Sequence, residues 1–515
     1  MVQSNEWTLR RETVLLPELL LDAEAEQSIE LDYVLPDYCP DFFRLLHCDA
    51  DVTVTSQEIR DGMLHAAFRV RLRVLYCAPE CRAVQTVSQQ LNCTKQFSLS
   101  AAAGTAPCMI SLHAEPAYLN CRAVSSRRID VRGALRLSAR VTAVKSAEVL
   151  SGAEGLGIRT LGRPVGFLSK YLTAEKSFAL SEDAVIPDAQ PAMLSLLRDS
   201  VTLTVSEARI TAGKLIVRGE AVLTLLYAAE TGTETYTAAF PFSQIAEADG
   251  LTDDMTPSVA AVLSDLLLTP EASGDGELRL LHCDFRILLQ CTAGACSSAQ
   301  LLCDAFSTVC PVTLTAETVP LLTMPVPLCE TRSLRTVLTE KDGILTKVCT
   351  VWAVPERVQT VSGENGGTVL KGQLRCCVMA EDADGSLQML EQTEPFDWEL
   401  PEVSPELPLP ALTVRSCTYT LSGADSVTVQ TELLLSGQAA GTAGQKLLTD
   451  ILPDAETPLP DADQYALRLC FGQPNETVWE IAKRYHTAPE AILAENSIAG
   501  DPLGAQQLLL IPNVR

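Results

Sequence analysis

One stretch, SEARITAGKLIVRGEAVLTLLYAAE at residues 206–230, occurs in recognisable form three times along the 515-residue chain. The first copy is SQEIRDGMLHAAFRVRLRVLYCAPE at residues 56–80, and the third is TVSGENGGTVLKGQLRCCVMAED at residues 360–382. Each copy contains a run in which apolar and polar residues alternate, which is the period of a half-buried β-strand. Because a chain of this length exceeds what one hydrophobic core supports, we predict tandem structural repeats.

A glycine at an equivalent position in each copy predicts a tight turn before the strand. The equivalent glycines are Gly62, Gly213 and Gly366, and they lie 151 and 153 residues apart. Glycine tolerates the backbone angles that tight turns require. A hairpin partner follows each alternating run and closes on an aromatic residue, namely Phe97, Phe242 and Phe396.

A second shared block precedes the first two copies. It reads SIELDYVLPDYCPDFFRLL at residues 28–46 and SFALSEDAVIPDAQPAMLSLL at residues 177–197. We predict that each consists of a strand, a Pro-Asp turn, a second proline and a short amphipathic helix. The third copy has lost or blurred this block.

These patterns predict a mainly β protein with three tandem β-rich repeats of sandwich or open-barrel type, followed by a small βααβ module. A stretch rich in proline and aspartate, ILPDAETPLPDADQ, separates the repeats from the module and indicates a linker. The predicted boundaries are a lead segment at 1–24, repeats at 25–160, 161–310 and 311–450, a linker at 451–463 and the terminal module at 464–515.

Charge and hydropathy exclude several classes of partner. The net charge is −26, from 39 basic and 65 acidic residues. Nucleic acid is excluded as a partner because phosphate binding needs a basic face. The sequence contains no uninterrupted apolar run of membrane-spanning length, so we expect no direct membrane insertion. The first residues lack the features of a secretory signal peptide, and we expect the chain to remain in the cytoplasm.

The residue types that carry catalysis and metal binding do not form known motifs. The 18 cysteines include no paired CxxC spacing, and the five histidines include no HExxH. We therefore expect reduced, buried thiols, no catalytic residues, no metal site and no cofactor. The protein is predicted not to be an enzyme. A wall-remodelling enzyme stays the alternative if a cleft with convergent polar groups exists.

The terminal module shows consistent local signals for a βααβ unit. Strands are predicted at residues 465–469 and 508–511. Thr477 and Glu480 form a capping box for the first helix. The apolar face of that helix is formed by Val478, Ile481, Ala482 and Tyr485.

A second helix is predicted after Thr487, with Pro489 in its first turn and Asn496 at its end. This helix is expected to bury Ile492 and Leu493.

This order of residues resembles the LysM family, whose pattern has an acidic-Thr-hydrophobic-Trp-x-Ile-Ala-x-x-Tyr helix, an Asn and a terminal Leu-x-Ile-Pro. The resemblance implies a shallow groove between the loops at residues 472–477 and 496–500. Asn475 stands where the family usually has glycine. The candidate binding residues are Gly472, Asn475, Glu476, Thr477, Trp479, Lys483, His486, Asn496, Ser497 and Ile498.

Trp479 is the central residue of this prediction. With Lys483 and His486 it forms a face at i, i+4 and i+7, separate from the apolar stripe. An amphipathic tryptophan beside a core is suited to anchor a partner. The alternative is that Trp479 covers the edge of a very small core.

The whole layout is similar to that of the DUF3794 family, which combines β-rich repeats carrying an LP-acidic-x-x-Pro-Asp run with a proline-rich linker and LysM. The run is LPDYCPD at residues 35–41 and, in weaker form, IPDAQP at residues 186–191. The resemblance implies a mother-cell scaffold of spore-coat assembly at the forespore surface, whose LysM module docks onto the coat ATPase SpoIVA. The alternative is a protein that binds peptidoglycan or a chitin-type glycan through LysM. Cytoplasmic residence favours the protein partner.

Overall fold

Two short helices and 22 strands form the part of the chain that the structure describes, which confirms the mainly β prediction. Neither helix combines the length and apolar character needed to cross a bilayer. The computed structural model describes residues 7–78, 84–101, 104, 106–274, 276–323, 326–340, 343–363, 367–400, 403–404, 407, 411–439, 441–459, 467–498 and 500–513.

Repeat 1 is a sandwich of two antiparallel sheets. Its strands are β1 (Thr8–Val34), β2 (Arg44–Arg60), β3 (Met63–Cys77), β4 (Val84–Ser98), β5 (Cys108–Ser125) and β6 (Arg128–Glu154). One sheet has the order β1-β6-β5 and the other β2-β3-β4. Side chains from both sheets, including Leu64, Phe68 and Leu137, are buried in a shared core.

Repeat 2 has the same arrangement. Its strands are β7 (Ile158–Val185), β8 (Ser195–Thr211), β9 (Lys214–Ala229), β10 (Gly232–Ala246), β11 (Thr256–Ala272) and β12 (Leu278–Ser307). The sheets have the orders β11-β12-β7 and β10-β9-β8. Tyr227 and Phe285 are the largest fully buried side chains of this core.

Repeat 3 keeps this plan with one long hairpin interrupted. Its strands are β13 (Val312–Leu322), β14 (Val326–Thr339), β15 (Leu345–Ser362), β16 (Thr368–Asp382), β17 (Leu387–Leu400), β18 (Ala411–Leu421), β19 (Ser426–Ala439) and β20 (Thr442–Pro453). The sheets are β14-β19-β18 and β15-β16-β17, and β13 pairs separately with β20. At the interruption, the amide of Thr323 donates a 2.9 Å hydrogen bond to the carbonyl of Gly441.

The predicted tight turns are present in repeats 1 and 2. Asp61 and Gly62 have φ angles of 52° and 73°, and Ala212 and Gly213 have 52° and 71°. Two successive positive φ angles are typical of the type I′ turn, whose twist matches that of a β-hairpin. Gly366 lies outside the described residues.

The short helices predicted after the Pro-Asp turns are wrong. Residues 44–46 and 195–197 instead begin β2 and β8, where Arg44 pairs with Cys77 and Ser195 with Ala228. So short a segment cannot pay the cost of helix nucleation, whereas strand pairing supplies cross-strand hydrogen bonds at once.

Tyrosine side chains hold the Pro-Asp turns in place. Tyr76 donates a 3.0 Å hydrogen bond to the carbonyl of Pro40, and Tyr227 donates one of 3.1 Å to the carbonyl of Pro191. Counting from the turn glycine, the equivalent position in repeat 3 is Ala380. Repeat 3 therefore lacks both the turn block and the tyrosine that would hold it.

Three predicted boundaries fall inside strands, namely 24/25 in β1, 160/161 in β7 and 450/451 in β20. β1 begins at Thr8 and pairs with β6 along its whole length, so residues 8–24 are continuous with repeat 1. β20 extends to Pro453, so residues 451–453 pair with β13 and are not part of a linker. Alternation alone did not locate these edges, because the long hairpins extend beyond the sandwich that they help to build.

The three repeats close into a ring. β4 contacts β8, β10 contacts β15, and β17 contacts β2, so equivalent strands meet in cyclic order. An apolar cluster with members from all three repeats lies at these contacts and includes Leu75, Leu226 and Met379. The extended hairpins meet in a second shared cluster, which contains Val14, Val149, Val165, Phe167, Leu301, Val319, Leu321 and Leu447.

The terminal module has the predicted βααβ order. Its elements are β21 (Leu467–Gly472), α1 (Val478–Tyr485), α2 (Pro489–Glu495) and β22 (Gln507–Pro512). β21 pairs antiparallel with β22, and the two helices pack on one side of this small sheet. Residues 465 and 466 of the predicted first strand lie outside the described residues.

Candidate functional site

The first helix of the module begins with the predicted capping box. The Thr477 hydroxyl accepts a 3.2 Å hydrogen bond from the amide of Glu480, and the amide of Thr477 donates one of 2.9 Å to the Glu480 carboxylate. The bond from the Thr477 amide holds the pKa of Glu480 below its ordinary value. Val478, Ile481 and Ala482 are buried, and Tyr485 is half-buried, so the predicted apolar face is confirmed.

The second helix buries only one of its two predicted core residues. Ile492 is fully buried, whereas Leu493 is 50% exposed, so the prediction for Leu493 is wrong. A helix of seven residues against a single neighbouring layer buries one narrow stripe, and the next residue is rotated by about 100° away from it. Asn496 ends the helix, and its side chain bonds to both the amide and the carbonyl of Leu510, at 2.7 and 2.6 Å.

The loop between β21 and α1 is shaped by its own residues. A Cβ at Gly472 would lie 2.4 Å from Cδ1 of the buried Leu503, so a side chain there would force that leucine to move. Asn475 has a φ of 66°, in the left-handed region that glycine favours, and its amide donates a 2.8 Å hydrogen bond to the carbonyl of Leu503. The buried Glu476 carboxylate accepts from the amide of Gln473 at 2.9 Å and pairs with Arg484.

The predicted groove residues therefore divide into two kinds. Gly472, Glu476, Thr477 and Asn496 form the framework of the module through the contacts above. Asn475 and Ser497 are exposed at the two loop tips, and Ile498 is half-buried against the small core. Gln473 and Pro474 are also exposed, so the tips of these loops are accessible to a partner.

The face formed by Trp479, Lys483 and His486 contacts repeat 2. Trp479 Nε1 donates a 2.8 Å hydrogen bond to Oδ2 of Asp304, and Lys483 Nζ lies 2.6 Å from Oδ1 of the same carboxylate. The Trp479 ring meets the ring of Phe306 edge-on, with centroids 5.0 Å apart. His486 Nδ1 lies 3.2 Å from the carbonyl oxygen of Ser307.

This contact, which we call the Asp304 latch (Asp304, Phe306, Ser307, Trp479, Lys483 and His486), joins Trp479 to repeat 2. The indole is half-buried. It packs against the edge of the module's small core, as the alternative interpretation expected, and it also joins that core to the end of β12, which neither interpretation included. The sequence contained no signal for Asp304, which lies 175 residues before Trp479.

A second polar site, also absent from the sequence predictions, joins repeats 1 and 2. The Asp199 carboxylate accepts hydrogen bonds from Arg71 at 2.8 Å and from Arg73 at 3.2 Å. Arg198 bonds to Asp49 at 3.4 Å, and its guanidinium lies 4.7 Å above the ring of Trp352 in repeat 3. Removing one partner of such a buried pair leaves an uncompensated charge, which costs about 3–5 kcal/mol.

Among the residues that the structure describes, the group of His47, Cys377 and Glu391 has ligand types suited to a metal ion. His47, Cys377 and Glu391 bring their donor atoms within 4.8 Å of one another between repeats 1 and 3. However, His47 Nδ1 already lies 2.8 Å from Glu391, and Arg375 Nη1 lies 3.8 Å from the Cys377 sulfur. A guanidinium at this distance supplies the positive charge that a cation would otherwise bring, and burial raises the pKa of Cys377 to about 12.

A cavity of about 1920 Å³ lies between the three repeats. Charged residues on its wall pair across repeat boundaries: Arg69 lies 2.5 Å from Asp265, and the Glu115 carboxylate accepts a 2.7 Å hydrogen bond from the amide of Arg357. Arg136 lies 3.1 Å from the same Glu115. The contacts of Arg69 with Asp265 and of Glu115 with Arg357 therefore join repeat 1 to repeats 2 and 3 at the cavity wall.

Comparison with known families gives a match within repeat 2. Residues 192–269, which comprise β8 to β10 and most of β11 in repeat 2, match the family model described as SipL, SPOCS domain. The match supports the resemblance of the chain to SipL and indicates a role related to sporulation and the spore coat. Neither the curated proteins nor the solved structures gave a match. The terminal module lies outside residues 192–269, so its assignment to the LysM family stays a prediction.

Proposed function

We propose that the chain is a non-catalytic scaffold of endospore-coat assembly, and that its LysM-like module docks onto a coat morphogenetic ATPase of the SpoIVA type. The match of residues 192–269 to the SipL SPOCS domain is the observation that carries the proposal, because it ties the repeats to sporulation. The docking role rests on the LysM resemblance of residues 464–515.

The ring supports a scaffold role. Buried ion pairs between Asp199 and both Arg71 and Arg73, and the stacking of Arg198 on Trp352, join one repeat to the next. Apolar clusters shared by all three repeats add to these contacts. A platform joined in this way holds its attached module in a defined position, which is what an adaptor between two coat components requires.

A glycan ligand is the second candidate, and one observation favours it. Gln473, Pro474 and Asn475 are exposed in one of the two predicted groove loops, and Ser497 is exposed in the other, so these side chains are accessible while the Asp304 latch is closed. Polar side chains at such a rim suit the hydroxyl and acetamido groups of an N-acetylglucosamine polymer. Sedimentation of the purified chain with peptidoglycan tests this candidate.

The docking proposal is tested by binding of the purified ATPase to the full chain and to a chain that ends at residue 463. We expect binding to be lost with the module. Equal binding by both chains would refute docking through the module.

Two variants then separate the possible roles of Trp479. If the indole also contacts the ATPase, Trp479→Ala weakens binding by about tenfold or more, whereas Asp304→Ala frees the indole and strengthens binding. If the indole only holds the module on repeat 2, both variants change binding in the same direction. Glu490→Ala, at an exposed position on α2, is the matched control.

A further inference from the structure

The small sheet of the terminal module is apolar on both faces. Cys470, Leu509 and Ile511 point toward the helices and are buried. The opposite face, which we call the outer sheet face, consists of Leu467, Leu469, Phe471, Leu508 and Leu510, with exposed fractions of 48%, 67%, 61%, 51% and 37%. These values apply with the Asp304 latch closed, so repeat 2 does not cover this face.

The strand register makes the outer sheet face continuous. Leu469 lies opposite Leu510, and Phe471 lies opposite Leu508. Antiparallel strands with one solvated face normally place polar residues on that face. A sheet that is apolar on both faces is instead typical of the inner layer of a sandwich, which needs a second layer to cover it.

Charge favours a second copy of the chain as that layer. Among the residues of β21 and β22, Arg468 is the only charged one, although the whole chain contains 65 acidic residues and has a net charge of −26. Two copies repel each other over most of their surfaces. The outer sheet face has no acidic residue in either strand, so it is a place where this repulsion is small.

The area of the face is also sufficient for self-association. At about 200 Å² for a fully exposed large apolar side chain, the exposed portions of the five residues sum to roughly 500 Å² per copy. Two such faces stacked about 10 Å apart remove roughly 1,000 Å² from water, which is about the lower limit for a specific interface.

We infer that the outer sheet face binds the same face of a second copy, so that the chain forms a two-fold symmetric dimer through its terminal module. The two pairs of strands then form the two layers of one small sandwich. Leu469 belongs to the middle cross-strand pair of the face, and Leu469 and Phe471 are its two most exposed residues. The inference does not depend on which external partner the module binds.

The test is the molar mass of the purified full chain, measured by sedimentation equilibrium without ATPase or glycan. At high concentration we expect a mass approaching twice the 55.5 kDa of one chain. Leu469→Glu and Phe471→Glu each place a carboxylate from both copies within the apolar interface, so each should raise the dimer dissociation constant by about a hundredfold. If a charged variant unfolds the module, Leu469→Gln provides the same test with a neutral side chain.

Leu493→Glu is the matched control. Leu493 is also 50% exposed but lies on α2, on the helical side of the module, so this variant should dimerise like the unmodified chain. A chain that remains monomeric at about 100 µM, which corresponds to a binding free energy weaker than about 5.5 kcal/mol, overturns the inference. So does a dimer that persists unchanged in Leu469→Glu and Phe471→Glu. Because no external partner is present, either result leaves the docking proposal standing.

Discussion

Trp479 Nε1 and the Asp304 carboxylate are joined by a 2.8 Å hydrogen bond across 175 residues of chain. The second oxygen of the same carboxylate receives Lys483, one helical turn further along α1. One acidic side chain therefore satisfies two donors of the module. The orientation of the module on repeat 2 depends on this residue more than on any other member of the Asp304 latch.

Substitution of Asp304 should release the module in steps. Asp304→Asn keeps an oxygen that can accept from the indole but loses the charge that pairs with Lys483. Asp304→Ala loses both interactions. The contact between the module and repeat 2 should then weaken by about 1–2 kcal/mol, a modest amount because the ion pair is partly exposed. Hydrogen–deuterium exchange in α1 and at residues 304–308 should be fastest in the alanine variant and intermediate in the asparagine variant.

Asp284→Asn is the control for the latch, because Asp284 lies on the same strand but bonds to Ser181. Exchange in α1 should not change in this variant. If exchange in Asp304→Ala matches that of the unmodified chain, the latch does not hold the module.

The capping box should account for a measurable part of the stability of the module. Thr477→Ala removes the acceptor for the Glu480 amide and should destabilise α1 by about 1 kcal/mol. Exchange of the amides of Val478–Tyr485 would then be faster by about fivefold. Ser497→Ala, at an exposed loop position of the same module, should leave these rates unchanged. An equal effect of both variants would contradict the capping interpretation.

Gly219 should tolerate no side chain. A Cβ at this position would lie 2.3 Å from the carbonyl oxygen of Thr204 and 2.5 Å from the ring of Phe242. The backbone of β8 cannot yield easily, so Gly219→Ala should destabilise repeat 2 by about 1–3 kcal/mol. Urea unfolding monitored by circular dichroism measures the loss. Gly166→Ala is the control, since a Cβ there has no atom within 4 Å, and its midpoint should be unchanged.

Glu391 should make the contact between repeats 1 and 3 sensitive to acid. The hydrogen bond from His47 and the nearby charge of Arg375 hold the pKa of Glu391 below its ordinary value, although burial acts in the opposite direction. A lowered pKa in the folded state stabilises the fold fully above the unfolded value of about 4.3, and this stabilisation is lost as the pH falls through the folded value.

The melting temperature of Glu391→Gln should therefore lie below that of the unmodified chain at pH 7, and the difference should shrink between about pH 4.5 and pH 3. Glu399→Gln, which replaces an exposed glutamate on the same strand, should show a small difference that does not vary with pH. A constant difference for Glu391→Gln would show that the carboxylate charge does not contribute.

Local chemistry explains which parts of the fold could be predicted. Alternation with a turn glycine identified the β3 and β9 strands because a strand's period and its turn are encoded within about 20 residues. The capping box at Thr477 and the end of α2 at Asn496 are local in the same way. The helices expected after the Pro-Asp turns were wrong because the strands that recruit residues 44–46 and 195–197 lie about 30 residues further along the chain.

The ring and the latch could not be predicted, because their contacts are distant in the chain. Arg71 reaches Asp199 over 128 residues, and Trp479 reaches Asp304 over 175. An isolated aspartate among 65 acidic residues gives no sign of its partner. The separate face of Trp479, Lys483 and His486 was recognisable from helical spacing, but the surface that it contacts was not.

The long hairpins give the molecule two distinct ends. β1 continues for 27 residues from Thr8 to the Pro-Asp turn, so an extended strand of this length separates its ends by up to about 90 Å. The ends of the long hairpins of all three repeats meet near Thr8, where Leu9 packs against an apolar cluster that contains Ala153, Ile158, Ala305 and Ile451. Tyr38, 87% exposed, and Phe43, 73% exposed, lie at the far end of β1. A neighbour bound at the Thr8 end and another bound beside Tyr38 and Phe43 would therefore be separated by the length of the hairpin.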